Sequence, residues 1–144
     1  MPNPQNILTG RKLRGSVGRV GGRNIALAEY DFAIDGGVVG DIVLRGDSDL
    51  PSGAIIVDAG INVETPVTGG GSATLALKIE GAADLQSAAA VTGAPWSTAG
   101  AKRATFTATT APVKTTAART VTATVGTAAL TAGKFQVWVD YIVP

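Results

Sequence analysis

Four aspartates, Asp41, Asp47, Asp49 and Asp58, fall within eighteen residues of one another and are the side chains best suited to chemistry. Grouped carboxylates can ligate calcium, or act as an acid and nucleophile on a glycosidic bond when held about 5–9 Å apart in a cleft. The spacing supports neither strongly. There is no Asp-x-Asp-x-Asp-Gly run of a calcium loop, and nothing around these residues positions a cleft. The chain has no histidine and no cysteine. That removes imidazole general bases, thiol nucleophiles, disulfides and zinc sites built from those residues. The expectation is a protein with no catalytic residue, no resident metal and no cofactor. A hydrolase using Asp47 and Asp49 ranks last among the readings.

Three other motifs carry weaker messages. Arg45-Gly46-Asp47 spells a cell-adhesion tripeptide, but beside Leu50-Pro51-Ser52-Gly53 it reads as ordinary turn chemistry. The glycine-rich stretch Gly15 to Gly22 has neither the dinucleotide nor the phosphate-loop spacing, and no helix pattern follows it. Trp96 and Trp138 could form a sugar-stacking platform. The competing reading pins Trp96 on a loop against the body and places Trp138 at an interface, where a large ring with one polar atom is favoured.

The composition says what must hold these residues. Hydrophobic residues are 45% of 144 positions while aromatics are only 5%, so Ala, Val, Leu and Ile dominate, with abundant Thr and 19 Gly. β-Branched side chains suit a pleated surface and Gly suits tight turns. The N-terminus lacks the apolar run of a secretory signal, and no window nears the ~20 apolar residues of a membrane helix. Synthesis and assembly in the cytoplasm, with no membrane partner, are expected. Net charge is +1, which argues against a nucleic-acid partner.

That near-neutral total hides a division. Every charge from Met1 to Ala28 is basic: Arg11, Lys12, Arg14, Arg19 and Arg23. From Glu29 to Glu64 eight acids face Arg45 alone. Residues 1–24 read as a basic, flexible N-terminal arm, because Pro, Gly and sparse apolar residues cannot offset ordering entropy without a partner. Docking on a partner, folding back on the acidic segment, or remaining an idle tail are all open to it.

Residues 25–144 read as one β-sandwich domain, jelly-roll or immunoglobulin-like, of about eight short strands. Expected strands are Ile25–Phe32, then Val38–Arg45 after a turn at Asp35-Gly36-Gly37, with Gly40 as a bulge. Ala54–Asp58 and Ile61–Pro66 follow as a pair or one kinked strand, then Ser72–Glu80, Arg103–Thr110, Arg119–Gly126 and Lys134–Val143. Residues Ala82–Val91 alone have helical composition. The last strand is apolar on both faces, so a central position, or an outer face covered by another subunit, is expected. Trp138 and Ile142 on that outer face are the expected self-association residues.

The segments Leu50-Pro51-Ser52-Gly53-Ala54-Ile55-Ile56-Val57, Val63-Glu64-Thr65-Pro66, Gly70-Gly71-Ser72-Ala73-Thr74-Leu75, Gly81-Ala82-Ala83-Asp84-Leu85 and Leu130 to Tyr141 carry a likeness. Over roughly residues 50–144 the chain resembles tailed-phage head decoration, or cement, proteins. The resemblance implies a virion structural protein on the capsid surface, a trimer that bridges neighbouring subunits of the major capsid protein. It transfers no binding residue and leaves the arm uncovered. On that implication Arg11, Lys12, Arg14, Arg19 and Arg23 become the expected capsid-binding residues. A tail or spike component, and a carbohydrate-binding or adhesin module using Trp96, are the rival readings.

Overall fold

The computed structural model describes residues 22–107 and 111–144. The fold is nearly all β. Its strands are β1 (Arg23–Asp31), β2 (Gly40–Val43), β3 (Arg45–Asp47), β4 (Asp49–Leu50), β5 (Ile55–Gly69), β6 (Thr74–Lys78), β7 (Gln86–Ala90), β8 (Gly100–Arg103), β9 (Arg119–Thr120), β10 (Thr122–Gly126) and β11 (Leu130–Ile142). One helical turn, α1 (Phe32–Asp35), separates β1 from β2. Antiparallel pairing gives a five-stranded sheet, β3-β1-β11-β5-β8, a four-stranded sheet, β2-β10-β6-β7, and a two-stranded ribbon, β4-β9. Inner-facing residues of both larger sheets join one buried cluster, so the architecture is a β-sandwich.

Alternation explains the centre. On β11, Phe135, Val137, Val139 and Tyr141 are all buried, while Gln136, Trp138, Asp140 and Ile142 face outward and are half-buried. β11 occupies the middle of its sheet, as a strand apolar on both faces should. The aromatic core follows from it. The Phe135 ring stacks on Tyr30 at 4.9 Å and meets Trp96 at 5.1 Å.

Several boundaries differ from the sequence pattern, each for a tertiary reason. The strand expected over Val38–Arg45 divides at Leu44, and that expected over Arg119–Gly126 divides at Val121. Both residues are buried, and the Leu44 N–H donates to the Val121 carbonyl at 3.1 Å. There the chain changes partners: β2 and β10 lie in the four-stranded sheet, β3 in the five-stranded one, and β9 in the ribbon. The turn expected at Asp35-Gly36-Gly37 is preceded by α1, whose N-cap Asp31 accepts from the Ala33 N–H at 2.9 Å. Gly36, at φ +73°, ends it by donating to the Phe32 carbonyl. β1 begins at Arg23, two residues before the expected start.

The helix expected within Ala82–Val91 does not form. Asp84 accepts the N–H groups of Ile79, Glu80 and Gly81 at 2.7–2.9 Å and turns the chain back. Gln86–Ala90 then pairs with β6. Leu85 and Val91 are thereby buried, and this tertiary gain overrides alanine's helix propensity. The strand expected at Arg103–Thr110 lies earlier, at Gly100–Arg103. Beyond it Ala104 and Phe106 pack on the core outside any strand, with the Ala104 N–H donating to the Ala59 carbonyl at 3.0 Å, and residues 108–110 lie outside the described residues. Ala59-Gly60 interrupts nothing, since β5 runs unbroken beside β11.

An ion pair closes the end of the sandwich between β6 and β9. Arg119 reaches both Glu80 oxygens, at 2.8 and 3.0 Å, and the Thr116 hydroxyl and N–H add two more hydrogen bonds. These bonds, with Arg119's first, hold the Glu80 carboxyl at about 2, below its ordinary 4.5. A carboxyl depressed on folding contributes stability above its unfolded value and loses it as pH falls toward the folded value. The melting temperature should therefore drop between pH 5 and 2, and Glu80→Gln should flatten that part of the profile. An unchanged slope in Glu80→Gln would refute this assignment.

Candidate interaction face

The outer face of the five-stranded sheet carries the chain's unusual chemistry. β1 reverses the usual order: the small Ala26 and Ala28 point inward, while Ile25 and Leu27 point outward and are 64% and 48% exposed. Register places Leu27 opposite Trp138, and Trp138 opposite Gly60 of β5. A Cβ at Gly60 would sit 2.2 Å from the Trp138 ring, so the indole lies flat on the glycine backbone. Val57, also exposed, falls at the register shift between Asp140 and Tyr141. Together with half-buried Ile142, these side chains make an apolar strip across the three central strands. Isolated surface aliphatics are common, but several of them gathered beside an indole make this face the candidate interaction surface.

A row of charges crosses the strip, since Asp140 stands opposite Ile25 and between Trp138 and Ile142 on β11. Asp140 and Asp58 are directly opposed on β11 and β5, an arrangement that is repulsive unless compensated. Arg23 of β1 pairs with Asp140, its Nε at 3.1 Å, and Arg103 of β8 pairs with Asp58. Burial opposes charge on Asp58, but hydrogen bonds from Arg103 and the Ala59 N–H, and the fields of Arg103 and Arg23, hold its pKa below the ordinary value. The Asp140 carboxylate in turn raises that of Arg23. Each charge is internally answered, so the row that crosses the apolar residues is self-neutralised.

The expected residues distribute unevenly over this geometry. Trp138 and Ile142 are on the outer face as anticipated. Arg23 is exposed but strand-bound and engaged with Asp140, while Arg11, Lys12, Arg14 and Arg19 lie outside the described residues. Trp96 is no platform: it is fully buried, with its Nε1–H donating to the Leu75 carbonyl at 3.2 Å. Arg45-Gly46-Asp47 forms strand β3 rather than a free loop. Its guanidinium donates to Asp35 at 2.8 Å and lies 3.7 Å from Glu29.

The four aspartates are scattered. Asp41 pairs with Lys78 on β2, Asp58 with Arg103 on β5, and Asp47 and Asp49 sit on strands of different sheets. Among the described residues no group of three or more acidic side chains is placed to hold a metal ion. The groove beside β4, lined by Asp49, Leu50, Pro51, Ser52, Ala118, Arg119 and Thr120, offers Asp49 as its one carboxylate. Ile25 and Leu27 were the residues sequence reasoning missed. Their signal was present, as large apolar residues alternating with alanines in a strand apolar on both faces. Gly60 gave no such signal, because its role depends on a ring 78 residues away.

No family model matches the chain, and no curated protein matches it. Solved structures do. The fold resembles a chain of the cyanophage Pam1 capsid asymmetric unit, with 21% identity, a TM-score of 0.59 and complete coverage of both chains. It also resembles a chain of the acid-stable capsid of Helicobacter pylori bacteriophage KHP30, at 19% identity and TM-score 0.58, covering 89% of this chain and 91% of the other. A third likeness is to a chain in the capsid of Ralstonia phage GP4, at 17% identity and TM-score 0.55, with 92% of each chain covered. At these identities the common property is the fold: this chain has a β-sandwich also found in chains of three phage capsids.

Proposed function

We propose that the chain is a virion structural protein that decorates the outer surface of a phage capsid and stabilises the shell by bridging neighbouring subunits of the major capsid protein. The observation that carries this reading is the likeness of the sandwich, over 89–100% of the chain, to chains from three phage capsid structures. In this reading the strip of Ile25, Leu27, Trp138 and Ile142 joins copies of the body, as a homotrimer. Arg11, Lys12, Arg14, Arg19 and the exposed part of Arg23 engage acidic groups on the shell. Each exposed ion pair is weak, about 0.2–1 kcal/mol. Linked arms engaging together raise overall avidity without any new contact. Binding that spans subunit boundaries favours the assembled shell by mass action.

The test mixes purified protein with bare shells and locates added density by electron microscopy. Density on the outer surface across subunit boundaries is expected, and density on a tail, or none, would overturn the reading. Reversing the charges of Arg11, Lys12, Arg14 and Arg19 should abolish particle binding while the melting temperature stays nearly constant. Retained binding would remove the arm from the mechanism.

A further inference from the structure

The edge of the four-stranded sheet at β2 is open. β2 pairs with β10 on one side and has no strand on the other among the described residues. The Leu44 N–H donates to Val121, which puts residues 40, 42 and 44 in the hydrogen-bonded positions toward β10. Val39, Asp41 and Val43 therefore direct their N–H and C=O groups away from the sheet. Their side chains are exposed too, Val39 at 51% and Val43 at 61%, beside Val38 at 77%. Proteins usually blunt such an edge with lysine, proline or a covering loop. Here the one charge on the edge, Asp41, is acidic, and its carboxylate is held by Lys78 and Thr124 on the sheet side with much of its surface still open.

We infer that this edge receives an added strand, and that the strand is Ser16–Gly21 of a second copy. The charges favour this occupant: residues 1–21 carry four bases and no acid, whereas residues 22–144 carry eight bases and eleven acids. The sequences match locally. Val17-Gly18-Arg19-Val20 set antiparallel to Val39-Gly40-Asp41-Ile42-Val43 puts Arg19 across from Asp41 and Val17 across from Val43. A carboxylate that already accepts from Lys78 and Thr124 has lone pairs left for a guanidinium. Main-chain bonds at the edge supply affinity and the alternating side chains supply register.

Reach makes the donor another copy. Asp41 lies between Gly37, whose carbonyl accepts from Leu130 at the start of β11, and Arg45, which stands opposite Glu29. Glu29 is six residues up β1 from Arg23, about 20 Å at the strand rise. Arg19 is four residues before Arg23 and extends at most about 14 Å from it. Its own β2 is out of range. The exchange moves Arg19 from the shell-binding set proposed above to a neighbouring copy and leaves Arg11, Lys12 and Arg14 for the shell. The pairing needs no shell, so its failure is read separately from a failure of shell binding.

The test uses the full chain without shells. The chain contains no cysteine, so Val17→Cys and Val43→Cys can be made in separate chains, mixed and oxidised. Antiparallel positions at a hydrogen-bonded pair are ~5.5 Å apart at Cα, within disulfide range. A Val17–Val43 cross-linked dimer is expected from the mixture. Chains carrying Val17→Cys mixed with chains carrying Thr98→Cys, on an exposed loop away from both β2 and the apolar strip, should give at least tenfold less. Arg19→Asp and Asp41→Arg should each lower the cross-linking yield at least fivefold in these backgrounds, and the two together should restore it. Circular dichroism confirms folding of each variant. Absence of the dimer, equal yield with Thr98→Cys, or failure of the paired reversal to rescue would overturn the strand exchange.

Discussion

Trp96→Ala should destabilise the fold by about 3–5 kcal/mol, the range for removing a fully buried aromatic side chain. Trp96 sits between the layers although its backbone belongs to a loop. Its ring meets Phe135 of β11 at 5.1 Å, and Phe135 stacks on Tyr30 of β1. Its indole N–H satisfies the Leu75 carbonyl of β6, and its own carbonyl accepts the Val67 N–H of β5 at 3.0 Å. One residue therefore contacts both sheets. Truncation leaves a cavity at their junction and a buried carbonyl short of a donor. Urea unfolding should show a lower midpoint with the slope unchanged. Trp96→Phe, which keeps most of the ring and loses the donor, should cost about 1–3 kcal/mol. A loss below about 1 kcal/mol for Trp96→Ala would mean the layers are held elsewhere.

Leu27→Asp should lower the monomer's stability only slightly, by the ~0.2–1 kcal/mol of a like-charge cross-strand pair with Asp47, and weaken self-association by roughly 30-fold, the equivalent of a ~2 kcal/mol hot spot. The side chain faces away from the core and is 48% exposed, so its replacement opens no cavity. It stands between Trp138 of β11 and Asp47 of β3 in one row across the sheet. A carboxylate there would have to be desolvated against an indole and a neighbouring acid whenever two copies meet. Sedimentation equilibrium on wild type, Leu27→Asp and a control such as Thr98→Asp measures the effect. An unchanged association constant in Leu27→Asp would remove this face from the assembly.

The strands whose inward sides are uniformly apolar were legible in the sequence. Phe135, Val137, Val139 and Tyr141 marked β11, and Leu75 and Leu77 marked β6, because a period of two reports burial directly. Where two elements compete for the same residues, local pattern misleads. Gln86–Ala90 has alanine-rich composition suited to a helix, yet the edge of β6 needed a partner and Asp84 supplied the turn. Leu44 and Val121 looked like interior strand residues, and they are instead the points where the chain passes between sheets. Trp96 was correctly read as a residue that pins a loop.

The absence of His and Cys, the alternating strands and the divided charge followed from residue identity alone, since chemical capability and periodicity are local properties. Placement across the sheets was not local. The flat seat of Trp138 on Gly60, the Arg–Asp pairs that quiet Asp58 beside Asp140, and the open edge of β2 each join residues distant in the chain. Their meeting depends on strand order and register, which arise when two sheets bury a common core and no single segment encodes them.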